Sequence, residues 1–204
     1  MKNLLFAILS SVIGFASSAS ALTIHVETPD GHAIPNAVVI ADTGPLSVTA
    51  EDFDWSVMME QTNLQFSPYV LIAPLGSKVS FPNRDRVRHH VYSFSKGNQF
   101  EIELYGRDDS RFQVFSAPGI VAVGCNIHDD MIGYIRVVDT PFARKTDEDG
   151  KVVFDALPAG VKSVRVWHPD MKGGSDDVMF ALTGAEDETV SLNVPSKMLK
   201  HGHH

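Results

Sequence analysis

Only one cysteine, Cys125, stands in the 204 residues, so no intramolecular disulfide can form and a disulfide-stapled fold is excluded. Basic side chains are also few. Seventeen Lys and Arg against 25 Asp and Glu give a net charge of −8, and nucleic-acid binders need clustered Lys and Arg. No apolar run reaches the ~20 residues that a membrane-spanning helix requires. Glycine and proline, 15 and 11, are not enriched, which excludes a collagen-like or low-complexity chain. The sequence contains no P-loop, phosphate-binding glycine loop or H-E-x-x-H helix. Helical periodicity is scarce as well. What is present is globular: 44% hydrophobic and 21% charged residues, on a chain long enough for one or two domains with a buried core.

The first 21 residues read as an export signal. Lys2 gives a positive start, residues 4–15 form a short apolar stretch, and Ala19-Ser20-Ala21 supplies small residues for cleavage after Ala21. The mature chain then has 183 residues, a net charge of −9 and no membrane span. A bacterial periplasm is the expected location. That location makes the cysteine informative, because oxidising compartments pair free thiols or damage them. Metal ligation is one reason to keep a lone thiol there.

Short segments rich in Val, Ile and Phe recur at 23–27, 37–40, 78–81, 91–94, 119–123, 135–138, 152–154, 161–167 and 189–194. Turn residues separate them, as at Pro29-Asp30-Gly31, Leu75-Gly76, Ala117-Pro118-Gly119 and Asp147-Glu148-Asp149-Gly150. This pattern predicts an all-β protein of sandwich type. One short helix is expected around 54–60. The two ends differ in style from the middle. Gly31, Ile34, Ala37 and Val39 at the start, with Thr146-Asp147 to Gly150 and Leu157-Pro158-Ala159-Gly160 later, resemble the carboxypeptidase-regulatory-like, transthyretin-type sandwich. The resemblance implies one small sandwich, 22–50 plus 140–195, split by a domain at 51–139. Residues 196–204 form a tail with His201, His203 and His204. A single larger sandwich extended by unrelated edges is the other organisation these segments allow.

The chemistry-bearing residues fall in the middle. Cys125, His128 and Met131 follow one another at intervals of three, so a thiolate, an imidazole and a thioether can converge on one point from a tight loop. His89 or His90 can add a second imidazole from a distant strand. Cys-His-His with a long axial Met is the donor set of a blue-copper electron-transfer site. Thiolate suits Cu(I) and imidazole tolerates Cu(II), so both redox states keep acceptable ligands. Zinc also takes Cys and His, but Met is a poor zinc ligand. Asp129 and Asp130 read as solvated acids beside the site.

At these residues a family becomes visible. Phe66, Pro68, Gly76, Val79, Phe81, Asn83, Asp85, His89, Val91, Gly119, Cys125, His128, Met131 and Gly133 resemble the cupredoxin pattern of plastocyanin and amicyanin. The C-x2-H-x2-M spacing is similar to the short ligand loop of amicyanin. His-Val-Tyr-Ser-Phe together with Gly-Cys-Asn-Ile-His-Asp-Asp-Met resembles the exported cupredoxins of methylamine-utilisation type. The resemblance covers about 60–139 and implies a Greek-key cupredoxin β-sandwich, inserted in or joined to the transthyretin-like one. It implies His89, Cys125 and His128 as strong copper ligands, Met131 as the axial ligand, and one copper per chain. His90 stands where the family often has Asn, whose side chain ties the two ligand loops together. Strand alternation leaves open which of His89 and His90 faces the site; the Asn-x-Asp-x-x-x-His-x-Val pattern favours His89.

These features together predict a non-enzymatic, monomeric periplasmic carrier of one electron, with partners such as a cytochrome or dehydrogenase. Its acidic balance calls for a basic patch on a partner and for association slowed by salt. A protein that stores or delivers copper, or a binding module with a vestigial site, are the other functions open to this sequence.

Overall fold

In the computed structural model, residues 20–44, 57–172 and 176–196 are described. The expected signal segment up to residue 19, the expected domain boundary at 50/51 and the tail from 197 lie outside the described residues. Ser20 and Ala21, at the expected cleavage site, open the first strand and are exposed.

The architecture is all-β. First come β1 (Ser20–Glu27) and β2 (Val38–Ala41). The middle of the chain supplies β3 (Glu60–Thr62), β4 (Gln65–Ser67), β5 (Val70–Pro74), β6 (Lys78–Pro82), β7 (His89–Ser93), β8 (Phe100–Tyr105), β9 (Ser110–Val114), β10 (Gly119–Gly124) and β11 (Ile132–Val138). Then follow β12 (Ala143–Lys145), β13 (Lys151–Leu157), β14 (Ser163–Trp167), β15 (Val178–Ala181) and β16 (Asp187–Ser191).

Strands from the two ends of the chain pair with one another. They make a three-stranded sheet, β13-β1-β16, and a four-stranded sheet, β12-β2-β14-β15. Middle strands pair among themselves, in a five-stranded sheet β5-β11-β10-β7-β8 and in the pairs β3-β4 and β6-β9. β1 shows why the outer strands form: Leu22, Ile24 and Val26 alternate inward while Thr23 and His25 stay half-buried, the period-two pattern of a strand with one covered face.

β2 and β5 are buried along their whole length because each face meets a different core. Val39 and Ala41 join the core of the outer sheets, and Leu71 and Ala73 join that of the middle sheets. The opposite faces, Val38 and Ile40 of β2 with Val70 and Ile72 of β5, meet around Trp167 and Val138 in a third cluster. Polar contacts cross the same seam. Arg136 of β11 is 6% exposed, and its Nη2 donates to Asp177 Oδ2 at 2.6 Å, an oxygen that also accepts from Arg165 of β14 at 3.3 Å. Lys145 Nζ donates to the Val70 carbonyl at 3.1 Å, and burial lowers the pKa of that ammonium.

The helix expected at 54–60 is not found over 57–60. Met58 bridges Ser80, the Met59 amide donates to the Ser80 carbonyl at 2.9 Å, and Glu60 begins β3. Met58 is 38% exposed and Met59 fully buried, so neighbouring side chains point opposite ways, as in an extended chain.

Candidate metal centre

β7, β10 and the loop leaving β10 converge at one end of the middle sandwich. The register between β7 and β8 shifts between His89 and Val91. His89 is wholly buried beside Val91. Cys125 follows β10 directly and is 5% exposed. The loop then closes on itself, with the Met131 amide donating to the His128 carbonyl at 3.1 Å and the Cys125 amide to the Met131 carbonyl at 3.2 Å. This ring of backbone bonds makes the spacing of three residues compact.

His89, Cys125 and His128 come together, with one donor atom of each inside 4.8 Å of the others. Cys125 Sγ lies 3.4 Å from His128 Nδ1 and 3.8 Å from His89 Nδ1. Nitrogen and sulfur bonded to one ion at about 2.0 and 2.3 Å stand roughly 3.5–3.7 Å apart, so the cluster is spaced as a ligand set. Its donors, one thiolate and two imidazoles, fit a type 1 copper site. Met131, 1% exposed, lies in the same apolar cluster as Cys125. Asp129 and Asp130 are exposed.

His90 is not part of the cluster. It is 7% exposed, its Nε2 lies 2.9 Å from Glu101 Oε1, and its Nδ1 has no hydrogen-bond partner. The loop-tying amide expected of an Asn here is replaced by a contact to β8.

Asp85 is the residue whose part sequence reasoning missed. Its Oδ2 lies 2.8 Å from His89 Nε2, so the far nitrogen of the ring is held and Nδ1 is left toward Cys125. The same carboxylate accepts the amides of Asn63 at 2.8 Å and Leu64 at 3.0 Å. Burial would raise the Asp85 pKa, but the Leu64 amide, the His89 ring and the Asn63 amide outweigh it and hold the carboxyl below its ordinary value. Asn83 shapes the turn that carries Asp85: its Oδ1 accepts the Asp85 amide at 2.8 Å, and its Nδ2 donates to the carbonyls of Val87 at 2.8 Å and Tyr105 at 3.2 Å. Gln61 Nε2 donates to the Tyr105 hydroxyl, which donates to the Phe81 carbonyl at 2.7 Å; burial pushes the Tyr105 pKa up to about 12. The signal for Asp85 was a carboxylate four residues before a candidate ligand.

No family model and no curated protein sequence matches this chain. Among solved structures it is similar to a proline-to-glycine variant of amicyanin in the reduced Cu(I) form at pH 4, at 17% identity and a TM-score of 0.39, over 42% of this chain and 84% of that one. A purple cupredoxin from Nitrosopumilus maritimus is similar at 23% identity and a TM-score of 0.37, over 42% of this chain and 100% of that one. A Cu-containing nitrite reductase from Thermus scotoductus is similar at 27% identity and a TM-score of 0.40, over 48% of this chain but 26% of that one. Each likeness covers less than half of this chain.

Proposed function

We propose that the chain is a periplasmic one-electron carrier with a mononuclear type 1 copper centre. His89, Cys125 and His128 would hold it as strong ligands, with Met131 as a fourth, weaker sulfur ligand. The observation that carries this reading is a buried thiol flanked by two imidazole Nδ1 atoms at 3.4 and 3.8 Å. Copper bound there supplies one reversible electron by passing between Cu(I) and Cu(II). The chain does the rest. Asp85 holds the His89 ring, the closed 125–131 loop holds Cys125 and His128, and the apolar cluster around Met131 keeps water from the thiol. His128 is only half-buried, so its ring edge is the side from which an electron can leave.

In this reading residues 1–21 direct export and are removed after Ala21. Residues 51–139 form a cupredoxin domain inserted into a small sandwich of 22–50 plus 140–195, a division supported by the separate pairing of middle and outer strands. The partner is a cytochrome or dehydrogenase with a basic face, drawn by the mature chain's net charge of −9.

Repeated redox cycling tests the carrier role. The purified chain, given one equivalent of Cu(II), is reduced with ascorbate and reoxidised several times beside an external Cu(I) chelator. A carrier keeps its copper through the cycles; loss of copper to the chelator at each reduction contradicts the carrier role and marks a delivery protein.

A further inference from the structure

β5 and β12 are both edge strands, β5 of the five-stranded middle sheet and β12 of the four-stranded outer sheet. They meet at the seam without pairing as strands, and a cavity of about 220 Å³ lies between them. Pro68, Val70, Leu71 and Ile72 line one side, and Ala143 and Lys145 the other. The lining is apolar apart from Lys145 and its neighbour Arg144. Arg144 Nη1 is taken up by the carbonyls of Pro141 and Ala143, each at 2.9 Å. Lys145 Nζ donates to the Val70 carbonyl at 3.1 Å.

Among the described residues that is the amine's only hydrogen bond, and no carboxylate pairs with it. The other described lysines, Lys78, Lys96, Lys151, Lys162 and Lys172, are exposed; Lys145 is not. An amine is nucleophilic only when neutral, and burial favours its neutral form. Here burial lowers the Lys145 pKa against the weaker pull of Glu148. The Val70 carbonyl accepts a hydrogen and leaves the lone pair of the neutral amine unengaged. Lysines desolvated in apolar pockets are the ones that condense with carbonyl compounds.

We propose that Lys145 captures small uncharged aldehydes as an imine, with the alkyl group seated between β5 and β12. The Nζ lone pair attacks the carbonyl carbon and a C–N bond forms. The carbonyl oxygen then leaves as water, carrying the two hydrogens of the amine, so nothing is oxidised or reduced. Protonation of the imine restores one N–H for the Val70 carbonyl. The cavity lies below the roughly 300–1,000 Å³ of sites for drug-sized ligands, which selects a short chain. Its apolar lining favours an alkyl group over a charged one. The capture is independent of the metal centre and of the carrier role.

The test uses the full-length, copper-free chain, incubated near neutral pH with butanal and sodium cyanoborohydride. The hydride adds to each imine carbon and fixes it as a butyl-lysine. Peptide mass spectrometry then reads every lysine, and the α-amino group, separately. Lys145 should be labelled about tenfold faster than Lys96, Lys151 or Lys162, a small part of what seating a reactant beside its nucleophile can supply. Butanol, the same chain without a carbonyl, should slow labelling at Lys145 alone. Glyoxylate, an aldehyde that carries a carboxylate, should show no preference for Lys145. Labelling of Lys145 at or below the rate of the exposed lysines overturns the nucleophile. Indifference to butanol, or a preference shared by glyoxylate, overturns the apolar seat. All of these readings come from the unaltered sequence, so none depends on a variant that has to fold.

Discussion

Asp85 Oδ2 lies 2.8 Å from His89 Nε2, and the side chains involved are 14% and 0% exposed. A carboxylate so placed fixes the ring and its tautomer and makes the opposite nitrogen a better ligand. Asp85→Asn should lower copper affinity by about 10–100-fold, measured by competition with a chelator. Unchanged affinity would mean that core packing alone orients the ring.

The same carboxylate holds a strained turn. Asn63 and Leu64 have φ of 55° and 60°, and a Leu in the left-handed region costs roughly 1–2 kcal/mol. Leu64→Gly should stabilise the copper-free chain by up to about 1 kcal/mol, since glycine relieves the strain but is freer when unfolded. The urea midpoint should rise. A fall would show that packing of the 48% exposed Leu64 side chain outweighs the strain.

Adjacent histidines should behave differently. His90 bonds Glu101 rather than facing Cys125, so His90→Asn should keep the thiolate–copper absorption band. His89→Asn should abolish it. Titration of each variant with Cu(II) in a spectrophotometer reads both outcomes, and the reverse result would move the ligand to the other face of β7.

Gly150 separates stability from the metal site. Its φ is +69°, and an added Cβ would lie 2.5 Å from the Val26 carbonyl oxygen and 2.9 Å from the Ile34 amide nitrogen. The Val26 amide also donates to the Gly150 carbonyl at 2.8 Å, so the backbone there cannot yield without losing a bond. Gly150→Ala should cost about 2 kcal/mol or more, a fall in melting temperature of roughly 4–8 °C. At low temperature the copper band should be unaltered, because the turn belongs to the outer sheets.

Strands whose burial is periodic or continuous could be read from the residues. β1, β2, β6, β10, β11, β13 and β14 fall on expected segments because Val, Ile and Phe there meet a core. β8, β9 and β15 could not be read so easily. They lie at sheet edges; Glu101, Glu103, Arg111 and Gln113 break up the apolar pattern of β8 and β9, and β15 is four residues long and mostly exposed. The β3–β4 turn places a Leu where glycine is usual, so local propensity gives no turn signal. In the site, the loop spacing of Cys125, His128 and Met131 is local and therefore legible. The choice between His89 and His90, and the triple use of Asp85, depend on chain segments more than ten residues away, Glu101 and 63–64.

The visible spectrum of the full-length chain after addition of Cu(II) tests the central claim most directly. An intense thiolate-to-copper band is expected, bleached by ascorbate, restored on reoxidation and absent in Cys125→Ser. A protein that stays colourless with copper and holds zinc at His89, Cys125 and His128 would contradict the account.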